Sequence, residues 1–61
     1  SAGQIEMLFS GKPEHLVYTA FGDPDEVAAG KWRIKKVKVD SLEKTVSFTF
    51  EKGLVLSVGV E

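Results

Sequence analysis

Apolar and polar residues alternate along most of this 61-residue chain, with the period of two that is typical of strands with one buried face. The first two alternating segments cover residues 4–10 and 15–21. Between them, residues 10–14 are rich in turn formers, because proline fixes one backbone dihedral and glycine accepts positive φ. The pattern therefore predicts two strands joined by a hairpin loop.

Three further strands are predicted at residues 31–39, 45–51 and 54–60. The segment 45–51 alternates most cleanly, with its apolar residues on one side and mostly threonine and serine on the other. The loop at residues 51–53 suits a short hairpin whose glycine takes the left-handed conformation. The second half of the chain is therefore expected to consist of hairpin-connected strands.

The segment 31–39 changes the phase of its alternation half-way along. A β-bulge at Lys35-Lys36 resolves the conflict, because one extra residue returns all four apolar side chains of this segment to the same side. Those four side chains are Trp32, Ile34, Val37 and Val39.

Residues 24–29 break the alternation and carry helix signals instead. Asp23 suits an N-cap, Pro24 suits the first helical position and Gly30 supplies a stop. So few residues between cap and stop do not make a helix that is stable alone. We expect one short helical turn near 24–29, held by the packing of Val27.

These elements predict an all-β fold in a single domain, 1–61. Five strands with one apolar face must roll up to cover it, so we expect a small five-stranded antiparallel barrel or sandwich of SH3-like or OB-like type. Closure also hides strand edges that invite aggregation. The predicted core consists of Trp32, Ile34, Val46, Phe48, Phe50, Leu54 and Leu56.

Composition and charge narrow the class of protein. Eight Lys and Arg against nine Asp and Glu, with 43% apolar residues, exclude intrinsic disorder. The chain holds no cysteine, which excludes disulfides and cysteine-based zinc sites and leaves the compartment open. No apolar run approaches the roughly 20 residues needed to cross a bilayer, so we expect no membrane span in this piece.

Groups suited to catalysis are few. His15 is the only imidazole, and we interpret it as a partly exposed residue at a strand start. The acidic residues Asp23, Asp25 and Glu26 lack the further ligands and the glycine of a calcium loop, so helix capping is the favoured role. The sequence therefore predicts no enzyme activity, no catalytic residue, no metal site and no cofactor.

The feature with most functional weight is a run of five cations within eight residues, with no acid among them. We name it the basic stripe. Such a strand can neutralise phosphates while Trp32 stacks a base, as OB folds hold single-stranded nucleic acid. Against this, strand phase places Trp32 in the core, and a solvated face or an edge guarded by lysines explains the stripe equally well. The candidate binding residues are Lys31, Arg33, Lys35, Lys36 and Lys38.

A Gly22-Asp23 pair is followed by residues 27–37, which read Val-Ala-Ala-Gly-Lys-Trp-Arg-Ile-Lys-Lys-Val. This pattern resembles the "G-D … G-x-W-x-V-x-x-I" core of small periplasmic β domains in bacterial secretion and pilus machines. They are the homology-region domain of type II secretion inner-membrane linker proteins and its counterpart in type IV pilus inner-membrane lipoproteins. In that family the Trp starts the central strand as a core anchor, a role that the resemblance gives to Trp32.

The resemblance extends from His15 onward and carries a functional implication. It implies a periplasmic domain that docks onto another envelope protein, such as the secretin, and has no catalytic role. The chain departs from the family pattern at residues 24–29, where helix signals replace the short strand and turn usual before the Trp.

Three classes of function remain, the least favoured being an enzyme or metal protein, which a pocket with convergent polar groups would support. We favour a non-catalytic protein–protein interaction module within a larger assembly, which binds its protein partner by strand addition, because backbone hydrogen bonds at a strand edge leave no motif. The alternative is a nucleic-acid-binding small β-barrel that uses the basic stripe.

Overall fold

Two short helices precede a four-stranded antiparallel sheet. The computed structural model describes residues 2–61, with helix α1 at Ala2–Phe9 and helix α2 at Glu14–Phe21. The strands are β1 (Glu26–Ala28), β2 (Lys31–Val39), β3 (Leu42–Glu51) and β4 (Leu54–Val60). They form one open sheet in the order β1-β2-β3-β4.

The structure is mostly β with antiparallel strands, which confirms the predicted fold in part, but the five strands and the barrel closure are not confirmed. The fold is not all-β, because two helices cover the apolar face of the sheet. A sheet covered in this way does not need to close on itself to bury its apolar side chains.

The first predicted strand, residues 4–10, is wrong, because helix α1 occupies this part of the chain. Ile5 and Phe9 lie four residues apart, so a helix brings both to one side, where they pack against the core. Met7, which shares their alternation, is 82% exposed. The predicted hairpin loop at residues 10–14 consequently connects two helices.

The second predicted strand, residues 15–21, is also a helix. Pro13 precedes α2 in an extended conformation, and Gly22 ends it at φ 80°. Val17 and Phe21 again lie four residues apart; Val17 is fully buried and Phe21 packs against the core. The apolar and β-branched residues that favoured a strand here also form one face of a short helix.

The helical turn predicted near 24–29 is wrong, because this segment contains strand β1. A two-residue turn that ends with Gly30, at φ 69°, joins β1 to β2. The carbonyl of Gly30 accepts a 2.7 Å hydrogen bond from the amide of Phe50, and a Cβ on this glycine would lie 3.3 Å from the Phe50 carbonyl oxygen. Val27 does not pack into the core as expected but is 66% exposed.

The bulge predicted in β2 is confirmed. The pairing of β2 with β3 shifts register between Ile34 and Val37, which places the extra residue at Lys35-Lys36. Lys36 has φ 59°, which a regular strand does not accept. The bulge keeps the apolar side chains before and after it on the helix-covered face.

Two tight turns close the other hairpins. Asp40 and Ser41 both have positive φ, of 52° and 70°, so β3 begins already at Leu42. Lys52 and Gly53 have φ 55° and 78°, which confirms the predicted left-handed glycine. Two successive positive-φ residues are the geometry that matches the twist of antiparallel hairpins.

The extent of β4 matches the prediction, but its inward side does not. Phe50 pairs with Val55, whereas the preceding residue of β3 pairs with Ser57, so Leu56 is an extra residue in the ladder. Val55 is 3% exposed, while Leu54 and Leu56 are 45% and 58% exposed. The prediction that Leu54 and Leu56 belong to the core is therefore wrong.

The core lies between the helices and one face of the sheet. The rings of Phe9, Phe21 and Phe48 contact one another with centroid distances of 5.5, 5.7 and 5.6 Å and join α1, α2 and β3. Trp32 packs edge-on against Phe50 at 4.8 Å. The buried apolar residues of the described chain are Val17, Ile34, Val39, Val46, Phe48, Phe50 and Val55. Four predicted core residues in β2 and β3 are confirmed, and Trp32 is partly buried against them.

Candidate partner-binding edge

The basic stripe lies along β2, and the structure divides it. Strand alternation places Lys31 and Arg33 on the face opposite the helices, which we call the outer face. Lys35 and Lys36 lie in the bulge, and Lys38 lies beyond it. Only the first two line a common groove with β1.

A row of polar side chains crosses the outer face at Arg33. The ladder places Glu26 of β1 and Ser47 of β3 on either side of this arginine. The guanidinium bonds to the Glu26 carboxylate, and its Nε and Nη2 donate to the Glu61 carboxylate at 3.3 and 3.2 Å. The Ser47 hydroxyl donates to the same carboxylate at 2.9 Å. Two acids therefore share one arginine.

These acids change the electrostatic character of the stripe. Lys38 lies opposite Glu43 in the ladder, so it also has an acidic cross-strand neighbour. Lys31 differs, because its cross-strand neighbours are Ala28 and Thr49, which carry no charge. The stripe is thus interleaved with acids everywhere along the regular ladder except at Lys31.

The side-chain carboxyl of Glu61 has a lowered pKa. The hydrogen bond from Ser47, followed by the charge of Arg33, lowers the pKa of the Glu61 carboxyl below its ordinary value of 4.5. Hydrogen bonds and positive charge both favour the ionised form.

We expect the melting temperature of Glu61→Gln to fall less than that of the wild type when the pH is lowered. A carboxyl with a lowered pKa in the folded state stabilises the fold above its unfolded pKa, and this contribution is lost as pH falls through the lowered folded value. Melting temperatures at pH 7 and pH 3 measure it: the wild type should lose more than Glu61→Gln, and Ser47→Ala should lie between them. Equal losses in all three proteins would contradict the expectation.

The edge of β1 has an unpaired backbone. The amide of Asp25 donates to the carbonyl of Arg33 at 3.0 Å, so Arg33 directs its backbone groups towards β1. Ala28 and Lys31 close a two-residue turn and are therefore a hydrogen-bonded pair. Because bonded and non-bonded pairs alternate along an antiparallel ladder, Glu26 also bonds to β2, and Val27 directs its N–H and C=O away from the sheet. All three residues of β1 are exposed.

The opposite edge, at β4, is partly occupied by the chain itself. The amide of Gly11 donates to the carbonyl of Val55, and the amide of Val55 donates to the carbonyl of Lys12, both at 2.8 Å. The amide of Glu14 donates to the Gly53 carbonyl at 3.1 Å, and α1 packs against β4. The more open edge of the sheet is therefore β1.

A shallow groove of about 210 Å³ lies beside β1, smaller than the roughly 300–1,000 Å³ of small-molecule pockets. Ala28 contributes the smallest side chain to it and lies opposite Lys31, next to the Glu26–Arg33 ion pair. The lining residues are Glu26, Val27, Ala28, Lys31 and Arg33.

Residues 26–28 are not among the predicted site residues, because Asp23 and Pro24 before them are typical of a helix start. The usable signal was the opposite charge of Glu26 and Arg33, placed symmetrically about a two-residue turn at Ala29-Gly30. The helix-capping role predicted for the nearby acids is wrong, since no helix follows them. Asp25 instead accepts a 2.7 Å hydrogen bond from a backbone amide of β2.

The other candidate residues, a histidine and several acids, do not come together to form a catalytic or metal-binding site within the described residues. His15 lies exposed on α2 rather than at a strand start. Within residues 2–61, His, Asp and Glu form no group of three or more suited to hold a metal ion. Over the same residues, neither helix is long and apolar enough to cross a bilayer.

Comparisons with protein-family models, curated proteins and solved structures found no match to this chain.

Proposed function

We propose that this chain is a non-catalytic protein–protein interaction module of a larger assembly and that it binds an extended segment of its partner as a fifth strand on β1. The observation that carries this proposal is the outward-facing backbone of Val27 at an exposed edge. Strand addition takes its affinity from main-chain hydrogen bonds and its specificity from pockets for alternate side chains. The groove beside β1 supplies such a pocket.

The side chains of β1 also suit this role. Sheet edges are commonly guarded by charged or proline residues that prevent pairing with another chain. Val27, whose backbone faces outward, is an exposed apolar residue with high strand propensity and carries no charge. The short length of β1 limits the number of main-chain bonds, so side-chain contacts in the groove must add to the affinity.

The larger assembly that we propose for this chain is a bacterial secretion or pilus machine in the periplasm. Its support is the resemblance around Gly22-Asp23 and residues 27–37. In the structure a short strand and a turn precede Trp32, which is the order usual in those domains.

The nucleic-acid alternative has less support. Trp32 packs against Phe50 on the helix-covered side, so it does not lie beside the outer-face cations as a stacking platform. The acids that share Arg33 and face Lys38 also lower the positive potential that phosphates require.

Replacing Val27 by proline tests strand addition. We expect a blocked Thr-Val-Thr-Val-Thr peptide, titrated into ¹⁵N-labelled protein, to shift the Ala28 amide in the wild type and in Val27→Ala, which keeps the edge N–H. Val27→Pro removes that donor and should abolish the shift, since proline cannot donate a hydrogen bond. Undiminished binding by Val27→Pro would contradict the proposal, and salt-sensitive binding of oligo(dT) would support the alternative.

A further inference from the structure

Resting on strand addition at β1, we propose that this edge selects segments with an acidic side chain opposite Ala28 and that Lys31 recognises the carboxylate. The partner is thus an extended segment with Asp or Glu at one outward-facing position. The inference follows from the charge partners of the groove residues and from the register of the sheet.

Of the two cations that line the groove, Lys31 is the one without a direct ion-pair partner among the described residues. Its cross-strand neighbours are uncharged, and it forms no ion pair with any of residues 2–61. The other groove cation, Arg33, already bonds to the carboxylates of Glu26 and Glu61. The charge of Lys31 acts on Glu61 from a distance, where it helps to lower the pKa of that carboxyl, but the ammonium forms no direct ion pair with it. A carboxylate that enters the groove therefore meets an ammonium that has no direct ion-pair partner in the described part of the chain, next to the ion pair of Arg33 with Glu26.

The register places the incoming carboxylate within the reach of this ammonium. A residue opposite Ala28 on an added strand shares the outer face with Ala28, and Ala28 in turn pairs with Lys31. Adjacent strands lie about 4.8 Å apart, so the added residue and Lys31 flank Ala28 at equal spacing. Because the alanine methyl is small, the long lysine side chain can cross it to meet a carboxylate.

The same arrangement discriminates against other side chains. A lysine or arginine opposite Ala28 would face the Lys31 ammonium, and like charges at neighbouring cross-strand positions are destabilising. A neutral residue would gain the backbone bonds but no ion pair. Selection thus combines one attractive and one repulsive contribution.

Matched peptides test the carboxylate preference. The probes are blocked Thr-Val-Glu-Val-Thr and its Thr-Val-Gln-Val-Thr and Thr-Val-Lys-Val-Thr counterparts, with dissociation constants taken from the Ala28 amide shift. We expect the Glu peptide to bind about three- to five-fold more tightly than the Gln peptide at low salt, as a partly exposed ion pair permits, and the Lys peptide to bind most weakly. Raising the salt from 0.05 to 0.5 M should shrink this preference.

Variants of the groove identify the residue responsible. Lys31→Gln should bind the Glu and Gln peptides equally, and Ala28→Val, which fills the path across β1, should also reduce the preference. Lys38→Gln is the matched control from the same strand and should keep it, because Lys38 lies opposite Glu43 and outside the groove.

The outcomes separate the two proposals. Equal affinity for the Glu and Gln peptides at β1 in the wild type, or a preference that survives Lys31→Gln, would overturn the carboxylate inference and leave strand addition standing. Absence of any shift near Ala28 with all three peptides at millimolar concentration would overturn both.

Discussion

Phe48→Ala should lower the free energy of unfolding by about 3–5 kcal/mol, the usual cost of removing a buried aromatic ring. Phe48 is fully buried at the centre of β3, where its ring contacts those of Phe9 and Phe21 at 5.7 and 5.6 Å. Its ring therefore joins both helices to the sheet. A domain of about 60 residues has a small core, so we expect most of the variant to be unfolded at room temperature.

Urea unfolding followed by circular dichroism and by Trp32 fluorescence measures this loss. Leu42→Ala is the control in the same strand, and its unfolding free energy should stay within about 0.5 kcal/mol of wild type because Leu42 is exposed. A Phe48→Ala variant that unfolds at the wild-type urea concentration would show that the helices do not depend on this contact.

The hairpins of the second half follow from local sequence. The alternation at Val46, Phe48 and Phe50 describes a face of β3, and tight turns limit where the strands begin. The bulge in β2 was also predictable, because an apolar pattern that changes phase requires one extra residue. These signals are short-range, so no knowledge of the remaining fold is needed to interpret them.

The two helices were not predictable in the same way. In a short segment, apolar residues at alternate positions also contain a pair four residues apart, such as Ile5 and Phe9. Periodicity does not distinguish the two conformations over so few residues. The distinction comes from long-range packing of Phe9 and Phe21 on Phe48, which no local pattern reveals.

The candidate site was likewise predictable only in part, because some of its features are local in sequence and others depend on the tertiary structure. The basic stripe was evident from the sequence, because five cations without an acid stand out in any chain. Which cation has no acidic cross-strand neighbour was not evident, since that depends on the register that pairs Arg33 with Glu26 and Lys31 with Ala28. The approach of Glu61 to Arg33, from the far end of the chain, is likewise a consequence of tertiary structure.

A comparison of the single variants Val55→Ala and Leu56→Ala should show which of these two side chains of β4 faces the core. Val55 is 3% exposed, so removing two methyl groups should cost about 2 kcal/mol, whereas Leu56 is 58% exposed and its truncation should change the unfolding free energy by less than about 0.5 kcal/mol. Simple alternation from Leu54 predicts the reverse order, with the larger side chain in the core. Urea midpoints of the two variants decide between them, because the extra residue at Leu56 is the only difference between the two arrangements of this strand. A larger loss for Leu56→Ala than for Val55→Ala would mean that β4 pairs without a bulge.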